Sequence, residues 1–186
     1  MKNLKVLTIA VGLLCLQPYA LFAQVISDNA DATVTTFVIN EMNVTKLTDI
    51  DFGFITSDIS TNSPLLDSEN GTSSNQSGVF SIGKFEVNAT NGQSIELSDN
   101  SPVTLTGPGS VTEIDFNATL SGMNGTDGSD FGGSSVNTGN SFTLTDDNYT
   151  VWVGGNLTGV GGSGGSSLTV GEHTGTYTLT VEYVFN

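Results

Sequence analysis

The chain has 186 residues, a formal net charge of −15, only four Lys or Arg residues against 19 Asp or Glu, and a single cysteine. A nucleic-acid or anionic-membrane partner is excluded on electrostatic grounds, because almost nothing is present to neutralise phosphate. A disulfide framework, a thiolate metal site and a cysteine nucleophile are excluded with it if Cys15 is lost on export, as the N-terminus implies.

Lys2 and Lys5, the apolar run Val6 to Leu16 and the small-residue end Leu21-Phe22-Ala23 have the form of a secretory signal over residues 1–23. The apolar stretch is too short to span roughly 30 Å of hydrocarbon, and Gln17 and Pro18 interrupt it, so no membrane insertion is expected after signal removal. Removing 23 of 186 residues leaves 163, a single domain over 24–186, and losing Lys2 and Lys5 takes the charge from −15 to −17. Lys46 and Lys84 are then the only basic side chains.

In chain order, Ala32 to Met42 and Lys46 to Ile55 are expected as strands, the second placing Ile50, Phe52 and Phe54 on one buried face. Residues 60–78, rich in Gly, Ser, Thr and Asn, predict a long exposed connection with a short ordered piece at Leu65-Leu66. Val79 to Asn88 alternates Phe85, Val87 and Ala89 against Lys84, Glu86 and Asn88, and Asn91-Gly92 before Ser94 to Leu97 predicts a tight hairpin. Val103 to Thr106 and Val111 to Leu120 follow, with Pro102 and Pro108 at strand edges. Residues 122–140 predict a second large loop, and Ser141 to Leu144 and Asn148 to Leu157 two more strands, with Tyr149, Val151 and Val153 on the face opposite Trp152. Residues 159–167, GVGGSGGSS, are expected as a mobile loop, and Leu168 to Val170 leads into the last strand.

That last run, GTYTLTVEYVFN, carries the clearest period of two: Tyr177, Leu179, Val181, Tyr183 and Phe185 share one face and Thr178, Thr180 and Glu182 the other. It is expected as a core or assembly strand. About nine short strands and no helix predict an all-β chain, a single antiparallel Ig-like β-sandwich.

Catalytic chemistry finds little support. His173 is the only histidine, and the glycines do not form a phosphate loop between a strand and a helix, so no enzyme, catalytic residue or cofactor is assigned. Asp127, Asp130, Asp146 and Asp147 are candidate oxygen ligands for calcium, but EF-hand spacing is absent and no metal site is assigned. Trp152 and Tyr149 are candidates for a sugar-stacking platform. Asn-x-Ser/Thr triplets such as Asn43-Val44-Thr45 follow from composition alone.

LTDIDFGFI (residues 47–55), GKFEVNATNGQSIEL (83–97), VTEIDF (111–116), YTVWVGGNLT (149–158) and GTYTLTVEY (175–183) together resemble the exported bacterial family catalogued as domain of unknown function 4402. That family is in turn similar in pattern to spore coat protein U-like and other chaperone–usher pilin subunits. The resemblance implies a secreted protein of the bacterial periplasm or cell surface, whose partners are copies of itself or related subunits and a periplasmic chaperone. It implies no catalytic residues. Phe185, next to last, fits the pilin pattern; the missing paired cysteines and the short segment Gln24 to Asn29 depart from it. Two functions are therefore expected: a structural or adhesive surface subunit assembled by strand exchange, or a monomeric extracellular module that binds glycan or protein through loops at one end of the sandwich.

Overall fold

The computed structural model describes residues 35–36, 38–57, 59, 62–110, 112–159 and 168–185. The chain divides into units Met1–Phe37 and Val38–Asn186, and every element named below lies in the second. The signal segment, residues 24–34, Val111 and most of the glycine-rich run at 159–167 lie outside the described residues.

The fold is all-β and antiparallel, with thirteen strands among the described residues: β1 (Asn43–Thr48), β2 (Phe54–Ile55), β3 (Leu65–Asp67), β4 (Thr72–Ser74), β5 (Gln76–Ser77), β6 (Gly83–Asn88), β7 (Ser94–Asp99), β8 (Val103–Thr106), β9 (Thr112–Asn124), β10 (Ser134–Val136), β11 (Ser141–Thr143), β12 (Asn148–Gly159) and β13 (Leu179–Val184). The expected nine become thirteen because β3, β4, β5 and β10, each of two or three residues, form inside stretches whose composition reads as loop.

Eight strands make one sheet around β12. One edge of β12 pairs with β9 from Thr150 to Gly159; the other pairs first with β6, from Asn148 to Val153, and then with β3 at Gly155 and Asn156. β1 extends the sheet beyond β6, β4 extends it beyond β3, and β8 and β10 share the far edge of β9. A second sheet has the order β11-β7-β13, and β2 pairs with β5 alone.

The main core lies between these two sheets. Val87, Ile114, Phe116, Leu120, Tyr149, Val151, Val153 and Leu157 come from the large sheet, and Ile95, Leu97 and Leu179 from the small one. Aliphatic side chains buried this completely stabilise by roughly 1.5–3 kcal/mol each. β12 is buried on its other face too. Trp152, fully buried, forms a second cluster with Leu66 and Ile82. Lys84 lies over its ring with Nζ 5.8 Å from the centroid, and the loop at 125–133 closes over both. Trp152 Nε1 donates to Ser129 O (3.2 Å), Lys84 Nζ donates to Ser129 O (2.6 Å) and to Asp127 O, and Thr150 Oγ1 donates to Gly125 O (2.8 Å). A lysine ammonium is held here by backbone carbonyls, which satisfy its donors at a buried position.

Three expectations are corrected. Among the described residues of 32–42 no strand forms; the first strand begins at Asn43. The single strand expected from Lys46 to Ile55 is interrupted: Gly53 adopts φ +66°, where a Cβ would stand 2.6 Å from Val79 O, and the chain turns there. Phe54 is thereby swung out of the core and left 76% exposed. The Asn91-Gly92 turn is present, with Gly92 at φ +80°, but it does not join a hairpin. β6 and β7 belong to different sheets, and Gly92 N bonds Leu144 O (3.0 Å) while Leu144 N bonds Gln93 O (2.9 Å), so the turn carries the chain across the sandwich. Leu168 to Val170, expected only to lead into the last strand, is irregular, and Val170 is exposed.

Candidate functional site

The residues singled out in the C-terminal run come together on β13 and the turn before it. Leu179 is buried, Tyr177, Val181 and Tyr183 are half-buried against the main core, and Thr180 and Glu182 face solvent. The alternation therefore marks the inner face as far as Tyr183. Phe185 departs from it: the strand ends at Val184, and the ring, 5.9 Å from that of Tyr183, is 69% exposed.

Two tyrosines fix the strand. Tyr177 Oη donates to Asp99 Oδ2 (3.0 Å), and burial first, then the adjacent Asp99 charge, push its phenol far above the ordinary value. Tyr183 Oη accepts from Thr90 N–H (2.7 Å) and lies 3.2 Å from Asn40 O, tying β13 to the β6–β7 turn and to the chain entering β1.

Among the described residues β13 pairs with β7 only, in continuous register from Leu179↔Asp99 to Val184↔Ser94. Asn100 N–H donates to Thr178 O (3.3 Å). Backbone groups alternate in direction along an antiparallel ladder, so even-numbered positions bond toward β7, while Leu179, Val181 and Tyr183 turn their N–H and C=O groups to the other side. Among the described residues no strand fills that side.

Exposed edges template further pairing, and they are ordinarily guarded by shortness, bulges, Lys or Pro. The other edges of this fold carry such guards. β1 contains Lys46 and a register shift between Lys46 and Thr48; β8 has four residues, Pro102 in front of it and a shift at Leu105/Thr106; β4, β10 and β11 have three residues each. β13, six residues long and regular, has none of these.

The other candidates are dispersed. Asp127 and Asp130 lie in the loop over Lys84, whereas Asp146 and Asp147 lie in the turn before β12. Two of the carboxylates serve local turns, Asp127 Oδ1 accepting from Ser129 N (2.8 Å) and Asp146 Oδ1 from Asn148 N (3.0 Å), while Asp147 Oδ1 accepts from Asn91 N (2.9 Å) in the distant β6–β7 turn. The Ser129 hydrogen bonds, with Lys84 nearby, hold the Asp127 carboxyl below its usual range. Among the described residues no group of three or more His, Cys, Asp or Glu stands together as a metal cage would require. His173 sits with Nδ1 3.2 Å from Gly171 O and its ring against Gly107. Trp152 and Tyr149 are both buried, which removes them as a sugar platform.

The fold thus defines a two-sheet antiparallel β-sandwich in which, among the described residues, β13 is a long regular edge strand without a bulge, Pro or Lys. The model of the family described as domain of unknown function (DUF4402) matches residues 42–183, and the chain belongs to that family. No curated protein matches it.

Proposed function

We propose that this protein is a non-enzymatic structural or adhesive subunit, exported to the periplasm or surface of a bacterium, in which the open edge of β13 takes a strand from a neighbouring subunit. The reading is carried by one observation: among the described residues, six residues of unbroken register stand at an edge that is neither short nor carries the bulge, Pro or Lys found at β1 and β8. The resemblance to chaperone–usher subunits supports it, and a periplasmic chaperone would cover the same edge before assembly.

A second copy of β13 suits the edge. In an antiparallel pair centred on Val181, Thr180 stands opposite Glu182 of the other copy, and the exposed Phe185 stands opposite Tyr177. A pair centred on Glu182 would set two like charges face to face and is disfavoured.

The test is assembly state. The native protein is expected to leave the cell envelope as a ladder or fibre, and the purified protein to multimerise in size-exclusion chromatography with light scattering. Val181→Lys should abolish multimers yet fold, because a lysine there reaches water only while the edge is open. A wild-type protein monomeric in the envelope and at high concentration, or a Val181→Lys protein that still multimerises, refutes the proposal.

A further inference from the structure

We infer that the protein carries a binding subsite for a neutral saccharide, centred on Phe54 in the cleft beside the β2–β5 pair. The inference is independent of assembly through β13.

The site begins with a ring out of place. Turned outward by Gly53, Phe54 is among the most exposed large apolar side chains of the described chain, at 76%. It is nonetheless seated. A Cβ on Gly78 would stand 2.8 Å from Phe54 Cδ2 and 3.3 Å from Cε2, so one edge of the ring abuts the glycine, and only a residue without a side chain accommodates it there. Gly78 itself has φ +83°, a conformation a larger residue would resist. One edge of the ring is thus set against Gly78 while much of its surface stays open to solvent, where a ring face can take a stacking partner.

Around it lies a cleft of about 210 Å³ lined by Phe54, Thr56, Asn62, Asn75, Gln76 and Ser77. In a chain with 19 acidic residues, these lining residues carry no charge. They are hydroxyls and carboxamides, groups that both donate and accept, as sugar hydroxyls do. An anion would meet no cation here and would enter an acidic field; a cation would meet no carboxylate among these residues. A neutral sugar, with an apolar C–H face for the ring and hydroxyls for the amides, matches both halves of the site.

The polar rim is braced. Asn75 adopts φ +58°, and its Nδ2 donates to Ser63 O (3.0 Å). Gln76 Nε2 donates to Ser73 Oγ (2.5 Å), while its Oε1 is buried without a hydrogen-bond partner. A carboxamide with an unsatisfied acceptor gives up little when it turns to meet a ligand hydroxyl.

The experiment is an amide chemical-shift titration of the full-length mature protein. The probes are neutral hexasaccharides of β-linked glucose, α-linked glucose, mannose and N-acetylglucosamine, with polygalacturonate as the anionic control. At least one neutral probe is expected to shift the amides of Phe54, Gln76, Ser77 and Gly78, with millimolar or tighter affinity, and polygalacturonate to leave them unmoved. Phe54→Ala and Gln76→Ala should each weaken that probe about tenfold and Phe54→Trp should retain it; both Phe54 variants should keep the wild-type melting temperature, since Phe54 is largely exposed. Silence with all four neutral probes, shifts that map elsewhere, or binding that survives Phe54→Ala overturns the inference. A site that takes only polygalacturonate, or only peptide, overturns it as well.

Discussion

Replacing Lys84 isolates the interaction that closes the outer face of the large sheet. The side chain is 6% exposed, its ammonium bonded to two carbonyls of the 125–133 loop and its stem laid over Trp152. Lys84→Met keeps most of the stem and removes the charge. The loss is two hydrogen bonds from a charged donor, about 1.5–3 kcal/mol each, and a cation–π contact of about 0.5–2 kcal/mol. Against it stands the recovered desolvation of the ammonium, several kcal/mol, while the freed carbonyls sit on a loop that water can reach. The net destabilisation expected is about 2 kcal/mol. Lys84→Ala also loses three buried methylenes at about 0.8 kcal/mol each and should cost about 4 kcal/mol. Trp152 is the only tryptophan and lies under the loop, so its fluorescence in a urea titration reports both the midpoint and any release of the loop before global unfolding. A Lys84→Met protein as stable as wild type or more so would show that desolvation outweighs the bonds, and the account of the loop's closure would fail.

Gly154 admits no side chain, because a Cβ would stand 2.3 Å from Leu66 O and 2.9 Å from Ser68 N; Gly154→Ala should lower stability by about 2 kcal/mol by forcing β3 off β12, whereas Gly159→Ala, in open space, should leave the urea midpoint unchanged. Burial pushes the Tyr149 phenol up to about 12 from 10.0, and Tyr177 moves the same way, so the folded state holds these protons more tightly than the unfolded; that stability is complete below pH 10 and is lost as pH rises toward 12, to be read as tyrosinate absorbance appearing together with unfolding. Asp67 and Asp127 have the opposite sign: both are held below the usual carboxylate range, Asp67 chiefly by the Asn70 side chain, so their contribution is present at neutral pH and lost as pH falls below about 4, and Asp127→Asn should flatten the acid limb of a denaturation series. Because the Asp127, Asp146 and Asp147 carboxylates are engaged by backbone N–H groups, sodium and calcium chloride at equal ionic strength should raise the melting temperature alike; a calcium-specific rise at sub-millimolar concentration would reveal a cation site.

Much of the sandwich is legible in the sequence because period-two alternation reports which side of a strand is wet. Phe85 and Val87 against Lys84 and Glu86, Ile114, Phe116 and Leu120 on β9, and Tyr149, Val151 and Val153 on β12 all stand on the core face the pattern assigns them. The same pattern misplaces Phe54, since a glycine with φ +66° looks like any small residue in a strand until its neighbours are known; what requires the turn is Val79 O, 2.6 Å from where a Cβ would be. Nor could it foresee that Trp152 is covered, because the cover is a Gly-, Ser- and Asp-rich loop whose composition signals exposure. That loop holds its place by carbonyls, and every residue has a carbonyl.

The same physics explains why the open edge of β13 is not in the pattern at all. Side chains project perpendicular to a sheet, whereas strands bond to their neighbours within its plane, so alternation distinguishes inner face from outer but says nothing of whether a strand is central or at an edge. β12 and β13 show this directly. β12, bonded on both sides, carries Thr150 and Trp152 on its outer face; β13, bonded on one side among the described residues, carries Thr180 and Glu182 there, and the cleaner alternation belongs to the edge strand. The only trace an edge leaves in sequence is its guards, and among the described residues β13 has one charge, Glu182, and no bulge, proline or lysine. A regular edge without a bulge, a proline or a lysine templates further pairing, so the proposed neighbour strand would give it the partner it lacks among the described residues.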